Sequence, residues 1–191
     1  MSASVGRVRV YIACSLDGFI AGEDDDLAWL DDRPEADVAS AENAESLGFE
    51  AFMADVGALV MGRRTFEVVE SFGPEAWLYG KRPVLVATHR PLSTNRSTVR
   101  PVDGAIEDII AEARRMAAPK DVYLDGGQLI RAALDAGLID ELVVTVIPVV
   151  LGKGIPLFAG ATKRHDFALR RQVAFPGGGV QLTLLPPTPP S

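Results

Sequence analysis

Two adjacent arginines and a threonine mark the place where a short apolar segment turns into an amphipathic one. Residues 59–62 have the composition of a buried strand ending in Gly62, and Arg63, Arg64 and Thr65 follow directly. A helix that begins here presents unpaired N–H groups and a positive dipole end, which favour an anion. Since a guanidinium fork matches phosphate oxygens, the motif indicates a phosphate or pyrophosphate site. The alternative is a solvated helix start whose arginines point into water.

Two further strand ends carry small, polar and basic residues of the kind that surround a nucleotide. These residues are Thr88, His89 and Arg90 after one predicted strand, and Gly126, Gly127 and Gln128 after another. Ligands of open α/β sheets bind beyond the carboxyl ends of the strands, and a glycine lets the backbone approach a pyrophosphate that a Cβ would hold off. Together the three turns predict one nucleotide cleft. The alternative is that the glycines only relieve tight turns.

The overall composition bounds the class of protein. The chain has 191 residues, of which 48% are hydrophobic and 24% charged, as expected for one globular domain. Its net charge of −7 argues against a sequence-independent nucleic-acid binder, so the arginine pair is a local basic spot on an acidic protein. The single cysteine, Cys14, excludes an internal disulfide, and the widely separated His89 and His165 add no metal-ligand set.

The apolar segments are too short or too interrupted for a leader or a membrane span. The first seven residues lack the long apolar core of a signal peptide. The longest apolar stretch, residues 143–151, contains Thr145 and Pro148. We therefore expect a soluble, cytoplasmic protein with no membrane partner. Residues 1–185 are predicted to form one domain, and residues 186–191 a proline-rich tail.

Strand-like and helix-like segments alternate through the middle of the chain, which predicts an α/β sheet with right-handed crossovers. The expected helices are 39–54, 64–71, 105–117 and 128–136. The expected strands are 8–14, 58–61, 83–87, 95–102, 121–124, 138–150, 167–175 and 180–185. The last two form an antiparallel hairpin around three glycines, so the sheet is mixed and mostly parallel. Pro148 predicts an edge or a bulge in the long strand.

These motifs, taken in order, resemble the dihydrofolate reductase superfamily. They are Met-Gly-Arg-x-Thr at 61–65, strand-Ala-Thr at 87–88, Gly-Gly at 126–127 and a strand threonine at 145. Residues 15–21 and 149–158 look like signatures of the reductase half of the bifunctional riboflavin-biosynthesis deaminase-reductase. The resemblance covers residues 7–185. It implies a three-layer dihydrofolate-reductase-like fold, NADPH as hydride donor, and a small heterocyclic or carbonyl substrate similar to 5-amino-6-(5-phosphoribosylamino)uracil.

The resemblance also implies which residues contact NADPH. Around the phosphates it implies Gly62, Arg63, Arg64 and Thr65, with Thr65 also capping its helix, and, from the opposite side, Gly126, Gly127 and Gln128. Beside the adenosine ribose and its 2′-phosphate it implies Thr88, His89 and Arg90. A mobile loop beside the nicotinamide is implied for Gly18, Phe19 and Ile20.

The proton donor departs from the dihydrofolate reductase pattern. The position of the catalytic carboxylate falls at Ser46, and serine cannot replace a buried acid. The candidate donors are Asp17, Glu50 and an ordered water, and Glu45 is adjacent to the expected position. A turn role for Asp17 and a solvated helix surface for the glutamates are the simpler interpretations. The departure counts against folate as the substrate.

Two other functions remain open at this stage. One is a dihydrofolate reductase with a relocated acid, and the other is a nucleotide-binding module without turnover. Deamination is not expected, since the chain has no H-x-E…P-C-x-x-C zinc signature. The long strand with Pro148, together with the glycine-rich stretch after it, suggests a surface for a second subunit. Because the reductases that the chain resembles often dimerise, the resemblance implies a homodimer.

Overall fold

The computed structural model describes residues 6–30, 47–174 and 178–187 as one α/β fold. The strands are β1 (Val8–Ser15), β2 (Phe19–Ala21), β3 (Val56–Gly62), β4 (Val84–Ala87), β5 (Val99–Val102), β6 (Asp121–Asp125), β7 (Glu141–Ile147), β8 (Ile155–Pro156), β9 (Ala168–Ala174) and β10 (Val180–Leu185). The helices are α1 (Phe49–Ala54), α2 (Arg63–Ser71), α3 (Ile106–Ala117) and α4 (Gly127–Asp135). Short 3₁₀ turns lie at Glu23–Asp25, Ala28–Leu30 and Pro74–Ala76.

Eight strands form one mixed sheet in the order β5-β4-β3-β6-β1-β7-β10-β9. The six strands that run from β5 to β7 in this order are parallel to one another. Strand β10 is antiparallel to both β7 and β9. The predicted mostly parallel sheet with an antiparallel closing hairpin is therefore confirmed. A separate two-stranded ribbon pairs β2 with β8 beside this sheet.

The sheet is covered by helices on both faces because successive side chains of its strands point to opposite sides. In β3, Ala58 and Val60 pack into the cluster that contains the apolar faces of α3 and α4. Leu59 and Met61 pack into the other cluster, with residues of α1 and α2. These two cores make the three layers that the sequence predicted, and they fix the carboxyl ends of the central strands.

Two sequence-based expectations differ from the structure. Strand β7 ends at Ile147, before Pro148, because proline has no N–H for the ladder. It lies between β1 and β10, so the edge considered for it is wrong. The surface for a second subunit and the homodimer both stay predictions.

The predicted helix 39–54 is described only in its last part, where α1 begins at Phe49. Residues 31–46, including Glu45 and Ser46, lie outside the described residues, as do the last four residues of the predicted tail. Within the ranges that are described, no helix has the length and apolar character to cross a membrane.

The amino ends of three central strands carry a buried cluster of charges. Arg9 of β1 is 4% exposed, and its Nη2 lies 2.5 Å from Oε1 of Glu141, the first residue of β7. Its Nη1 lies 3.4 Å from Oδ2 of Asp121, the first residue of β6. Arg7 contacts the same two carboxylates from the surface, at 2.9 and 3.1 Å. The guanidinium of Arg9 also stacks 4.6 Å from the ring centre of Phe52.

Candidate functional site

A cleft of about 720 Å³ opens at the opposite end of the sheet, beyond the carboxyl ends of β3 and β6. Parallel strands bring their carboxyl ends to one edge, so residues distant in sequence meet there. The predicted site residues that line the cleft are Ile20, Gly62, Arg63, Arg64, Thr65, Arg90, Gly126, Gly127 and Gln128. Among the described residues, those predicted for the site but outside its lining are Asp17, Gly18, Phe19, Glu50, Thr88 and His89.

The first wall is the start of α2. Gly62 is extended, with φ −71° and ψ 157°, and α2 has no side-chain cap among the described residues. Its first N–H groups therefore face the cleft without a side-chain acceptor, as an anion site requires. Thr65 lies within the first turn of α2, so the expected capping role of Thr65 is wrong. A Cβ built on Gly62 would meet no described atom within 4 Å, which leaves room for a ligand.

Arg63 is held against the protein rather than aimed freely at the cleft. Its Nε donates to Oε1 of Glu67 at 2.6 Å, one helical turn along α2. Its Nη1 donates to the carbonyl of Pro91 at 2.9 Å and lies 3.4 Å from that of Arg90. A weaker contact of 3.5 Å joins the same nitrogen to Oγ1 of Thr88. Arg63 therefore fixes the turn after β4 against α2.

Arg64 has a different environment. Its side chain is 62% exposed, and its Nε donates to Oδ1 of Asp25 at 2.5 Å. The hydrogen bond and charge of Asp25 raise the pKa of the Arg64 guanidinium. Because the rest of the fork is open to solvent at the cleft rim, Arg64 is the better placed of the two arginines to bind an anion.

The second wall is the start of α4, where two glycines are required by space. Gly126 has φ +97°, and a Cβ there would lie 2.6 Å from Oγ1 of Thr65. A Cβ on Gly127 would lie 2.9 Å from the carbonyl oxygen of Pro156 in β8. The glycines thus allow α4 to approach both α2 and the β2–β8 ribbon. Like α2, α4 has no side-chain cap among the described residues.

Asp125, the last residue of β6, lies in the cleft and was not predicted as a site residue. Its Oδ1 accepts the N–H of Gly126 at 2.8 Å. Burial raises the pKa of Asp125 to about 6, against the opposing effects of the Gly126 N–H and the Tyr123 hydroxyl. Tyr123 is itself buried, and its hydroxyl donates to the carbonyl of Tyr11 at 3.0 Å. The sequence signal that could have located Asp125 is its position at a strand end, directly before Gly126-Gly127 and two residues after Tyr123.

Asp17 anchors a turn. Its Oδ1 accepts the hydroxyl of Ser15 at 2.6 Å and the N–H of Leu151 at 3.1 Å, and its Oδ2 accepts the N–H of Gly152 at 2.7 Å. The Ser15 hydrogen bond, with help from these backbone groups, lowers the pKa of Asp17. The side chain therefore ties the loop after β1 to the turn after β7, in agreement with the simpler interpretation.

The other predicted residues outside the cleft lining are also placed. Glu50 lies exposed in the first turn of α1. His89 is 86% exposed in its side chain, and its Nδ1 lies 2.5 Å from Oδ1 of Asp103. Gly18 has φ +85°, and its carbonyl accepts the N–H of Leu157 at 2.8 Å, which joins its loop to the residue after β8.

The mixed sheet, its covering helices and the cleft at the strand ends define a dihydrofolate-reductase-like fold. Dihydrofolate reductase from Enterococcus faecalis, in a complex with NADP(H) and RAB-propyl, aligns with a TM-score of 0.63 at 17% identity over 97% of this chain and 99% of that one. The chain belongs to the RibD C-terminal domain family, whose model matches residues 7–178.

Two proteins about one-third identical to this chain have no assigned function or only a provisional one. The uncharacterized protein YwjB of Bacillus subtilis is 32% identical over 176 residues, which cover 92% of this chain and 95% of YwjB. A Shewanella sp. PV-4 protein, provisionally assigned to riboflavin biosynthesis, is 33% identical with a TM-score of 0.79, covering 95% and 99% of the two chains. A deaminase and 5-amino-6-(5-phosphoribosylamino)uracil reductase from Thermotoga maritima shares the fold at 16% identity and a TM-score of 0.64, over 95% of this chain and 57% of that one.

Proposed function

We propose that this protein is an NADPH-dependent reductase that transfers hydride to a small heterocyclic or carbonyl substrate, similar to the 5-amino-6-(5-phosphoribosylamino)uracil reductases of its family. The observation that carries the proposal is the convergence of two uncapped helix starts, those of α2 and α4, on one cleft whose rim carries Arg64. Backbone N–H groups and a guanidinium together recognise phosphate oxygens.

The residues present fit a dinucleotide. The open space at Gly62 and the glycines at the start of α4 let backbone N–H groups approach a pyrophosphate. Arg64 would bind a phosphate, and Gln128 would lie beside it at the exposed start of α4. When bound, NADPH supplies the hydride. Ile20 and Ile155, on the β2–β8 ribbon, would exclude water from the cleft.

We further propose Asp125 as the group that holds the proton for the substrate. It lies in the cleft, and its pKa of about 6 leaves a protonated fraction near neutral pH. Asp17 and Glu50, the donors expected from sequence, lie outside the cleft lining. A carboxyl that is raised by burial suits proton donation better than one whose pKa is lowered by three hydrogen bonds, as at Asp17.

Binding and turnover are tested separately. Calorimetric titration with NADPH is expected to show saturable binding that Arg64→Ala weakens about tenfold, from the usual value of a charge-assisted hydrogen bond. Glu107→Gln, in the first turn of α3 and away from the cleft lining, is the control and is expected to leave the affinity unchanged. Equal affinity in Arg64→Ala and the parent would remove the phosphate role.

Turnover is followed by NADPH oxidation at 340 nm with pyrimidine, pterin and carbonyl acceptors. Oxidation with a ribosylaminopyrimidine and none with dihydrofolate supports the proposal. Oxidation with dihydrofolate alone would instead favour a dihydrofolate reductase with a relocated acid. Tight NADPH binding without oxidation by any acceptor would favour a nucleotide-binding module.

A further inference from the structure

Hydrogen bonds close the base of the turn that follows β2. The N–H of Gly22 donates to the carbonyl of Asp26 at 2.8 Å, and the indole N–H of Trp29 donates to the same carbonyl at 3.2 Å. The side chain of Asp26 also accepts the N–H of Ala28 at 3.0 Å. These contacts close the turn around the 3₁₀ segment Glu23–Asp25.

The tip of this turn is strained and is joined to α2 by one ion pair. Asp24 and Asp25 have φ of +55° and +62°, a left-handed conformation that is unfavourable for two successive residues other than glycine. The Asp25 carboxylate accepts the Arg64 Nε–H at 2.5 Å, with side-chain exposures of 30% and 62%. Since solvent reaches both partners, the contact is open to exchange with another anion.

The Asp25–Arg64 ion pair lies between two cavities. Asp25 and Arg64 both line the nucleotide cleft, and both line a second, more open recess between the turn and α2. The same arginine is the basic side chain proposed above for a ligand phosphate. A phosphate that binds this guanidinium side-on, through its Nε–H and one Nη–H, needs the hydrogen that the Asp25 carboxylate accepts.

We propose that the Asp25 carboxylate competes with a ligand phosphate for the Arg64 guanidinium. A phosphate-bearing ligand then displaces Asp25 from Arg64 and frees the tip of the turn, Asp24 and Asp25. The inference rests on the proposed cofactor site, and it adds a regulatory contact that this site does not need for chemistry. In the displaced state Asp24 and Asp25 are free to leave the left-handed conformation, while the base of the turn stays closed. Ligand binding is thereby coupled to the conformation of residues 23–26.

The affinity test removes the competitor. Asp25→Asn is expected to bind NADPH about two- to fivefold more tightly than the parent, the range of an exposed ion pair. Glu23→Gln is the matched control, because it removes the same charge from the same turn at a residue that does not pair with Arg64, and it is expected to leave the affinity within about twofold. In the background of Arg64→Gln, Asp25→Asn is expected to have no effect. Weaker or unchanged NADPH binding by Asp25→Asn overturns the proposal.

A structural test needs no cofactor. Amide hydrogen exchange of the peptide covering residues 20–30 is expected to be faster in Asp25→Asn and in Arg64→Gln than in the parent and in Glu23→Gln. Inorganic pyrophosphate is expected to speed exchange in the parent and in Glu23→Gln, but not in Asp25→Asn or Arg64→Gln. Parent-like exchange in Asp25→Asn and Arg64→Gln would show that the Asp25–Arg64 ion pair does not hold the turn, and it overturns the proposal whatever the NADPH result. Faster exchange in those variants, with no NADPH binding by the parent or any variant, would instead support the role of the Asp25–Arg64 ion pair in holding the turn and reject the proposed cofactor.

Discussion

The two ends of the same parallel strands use charge in opposite ways. At the amino ends, Arg9, Asp121 and Glu141 are each at most 9% exposed, and Arg9 binds both carboxylates. At the carboxyl ends, Arg64 is largely exposed, and burial raises the pKa of Asp125 to about 6. The first set is closed and complementary, whereas the second leaves binding capacity for a ligand. One end therefore specifies the fold, and the other is available for chemistry.

Burial has different consequences at the two ends because of what surrounds each charge. Removing a carboxylate from water costs free energy unless cations and hydrogen bonds compensate it. Asp121 has two arginines beside it, and Arg7 donates to it through both backbone and side chain. Among the described residues, Asp125 has a backbone N–H and a hydroxyl beside it but no cation, so burial raises its pKa to about 6. The difference lies in the neighbours of the carboxylate more than in its depth.

The largest loss in the free energy of unfolding is expected from removing Arg9, the buried cation at the amino ends of the strands. Arg9→Met leaves the buried Asp121 and Glu141 with only a surface arginine, and it should lower the free energy of unfolding by about 3–5 kcal/mol. Arg7→Met, at a side chain that is 49% exposed, is the matched control and should cost about 1 kcal/mol. Urea unfolding followed by circular dichroism measures both. Equal losses in the two variants would show that the amino end is not a closed unit.

An intermediate effect of opposite sign is expected at Asp125. Its folded pKa of about 6 lies above the ordinary 3.8, so its contribution to stability is full at low pH and is lost as the pH rises through 6. Asp125→Asn cannot ionise, and it should therefore stabilise the fold by about 2–3 kcal/mol at pH 8 and very little at pH 3.

Urea unfolding at the two pH values provides the measurement, and NADPH oxidation provides a second one. Under the proposed function, the same variant should lose about a hundredfold in turnover, the usual contribution of a general acid. A stability gain that is independent of pH would mean that Asp125 is not perturbed by burial.

The smallest effect distinguishes the two arginines of the cleft. Arg63→Met removes hydrogen bonds to the carbonyls of Arg90 and Pro91, and it should cost about 1 kcal/mol in the free energy of unfolding. Its loss of NADPH affinity should be smaller than that of Arg64→Ala. Thermal unfolding and calorimetry on both variants give the two values. The reverse order of affinities would make Arg63 the principal phosphate ligand.

Local patterns in the sequence were enough to predict the sheet, its hairpin and most of the cleft wall. Apolar composition predicted the buried strand at residues 58–61, and the Gly126-Gly127 pair located the start of α4. Pro148 was misread because a strand can end before a proline instead of lying at an edge.

What the sequence did not reveal depends on contacts between distant segments. Asp25 and Arg64 are 39 positions apart, and only the fold brings the acidic turn onto the helix start. The pKa of Asp125 depends on burial by surrounding elements, which a strand-end aspartate does not disclose. Arg63 and Arg64 look equivalent in sequence, and their different partners separate them.

The central claim is that NADPH lies between the starts of α2 and α4. An NADPH titration followed by ¹H–¹⁵N correlation spectra tests it directly, since it reports on both ends of the sheet in one sample. The account predicts saturable shifts at the amides of Gly62, Arg63, Arg64, Thr65, Gly126, Gly127 and Gln128, with those of Arg9, Asp121 and Glu141 unchanged. The absence of saturable shifts, or shifts concentrated at the amino ends of the strands, would contradict it.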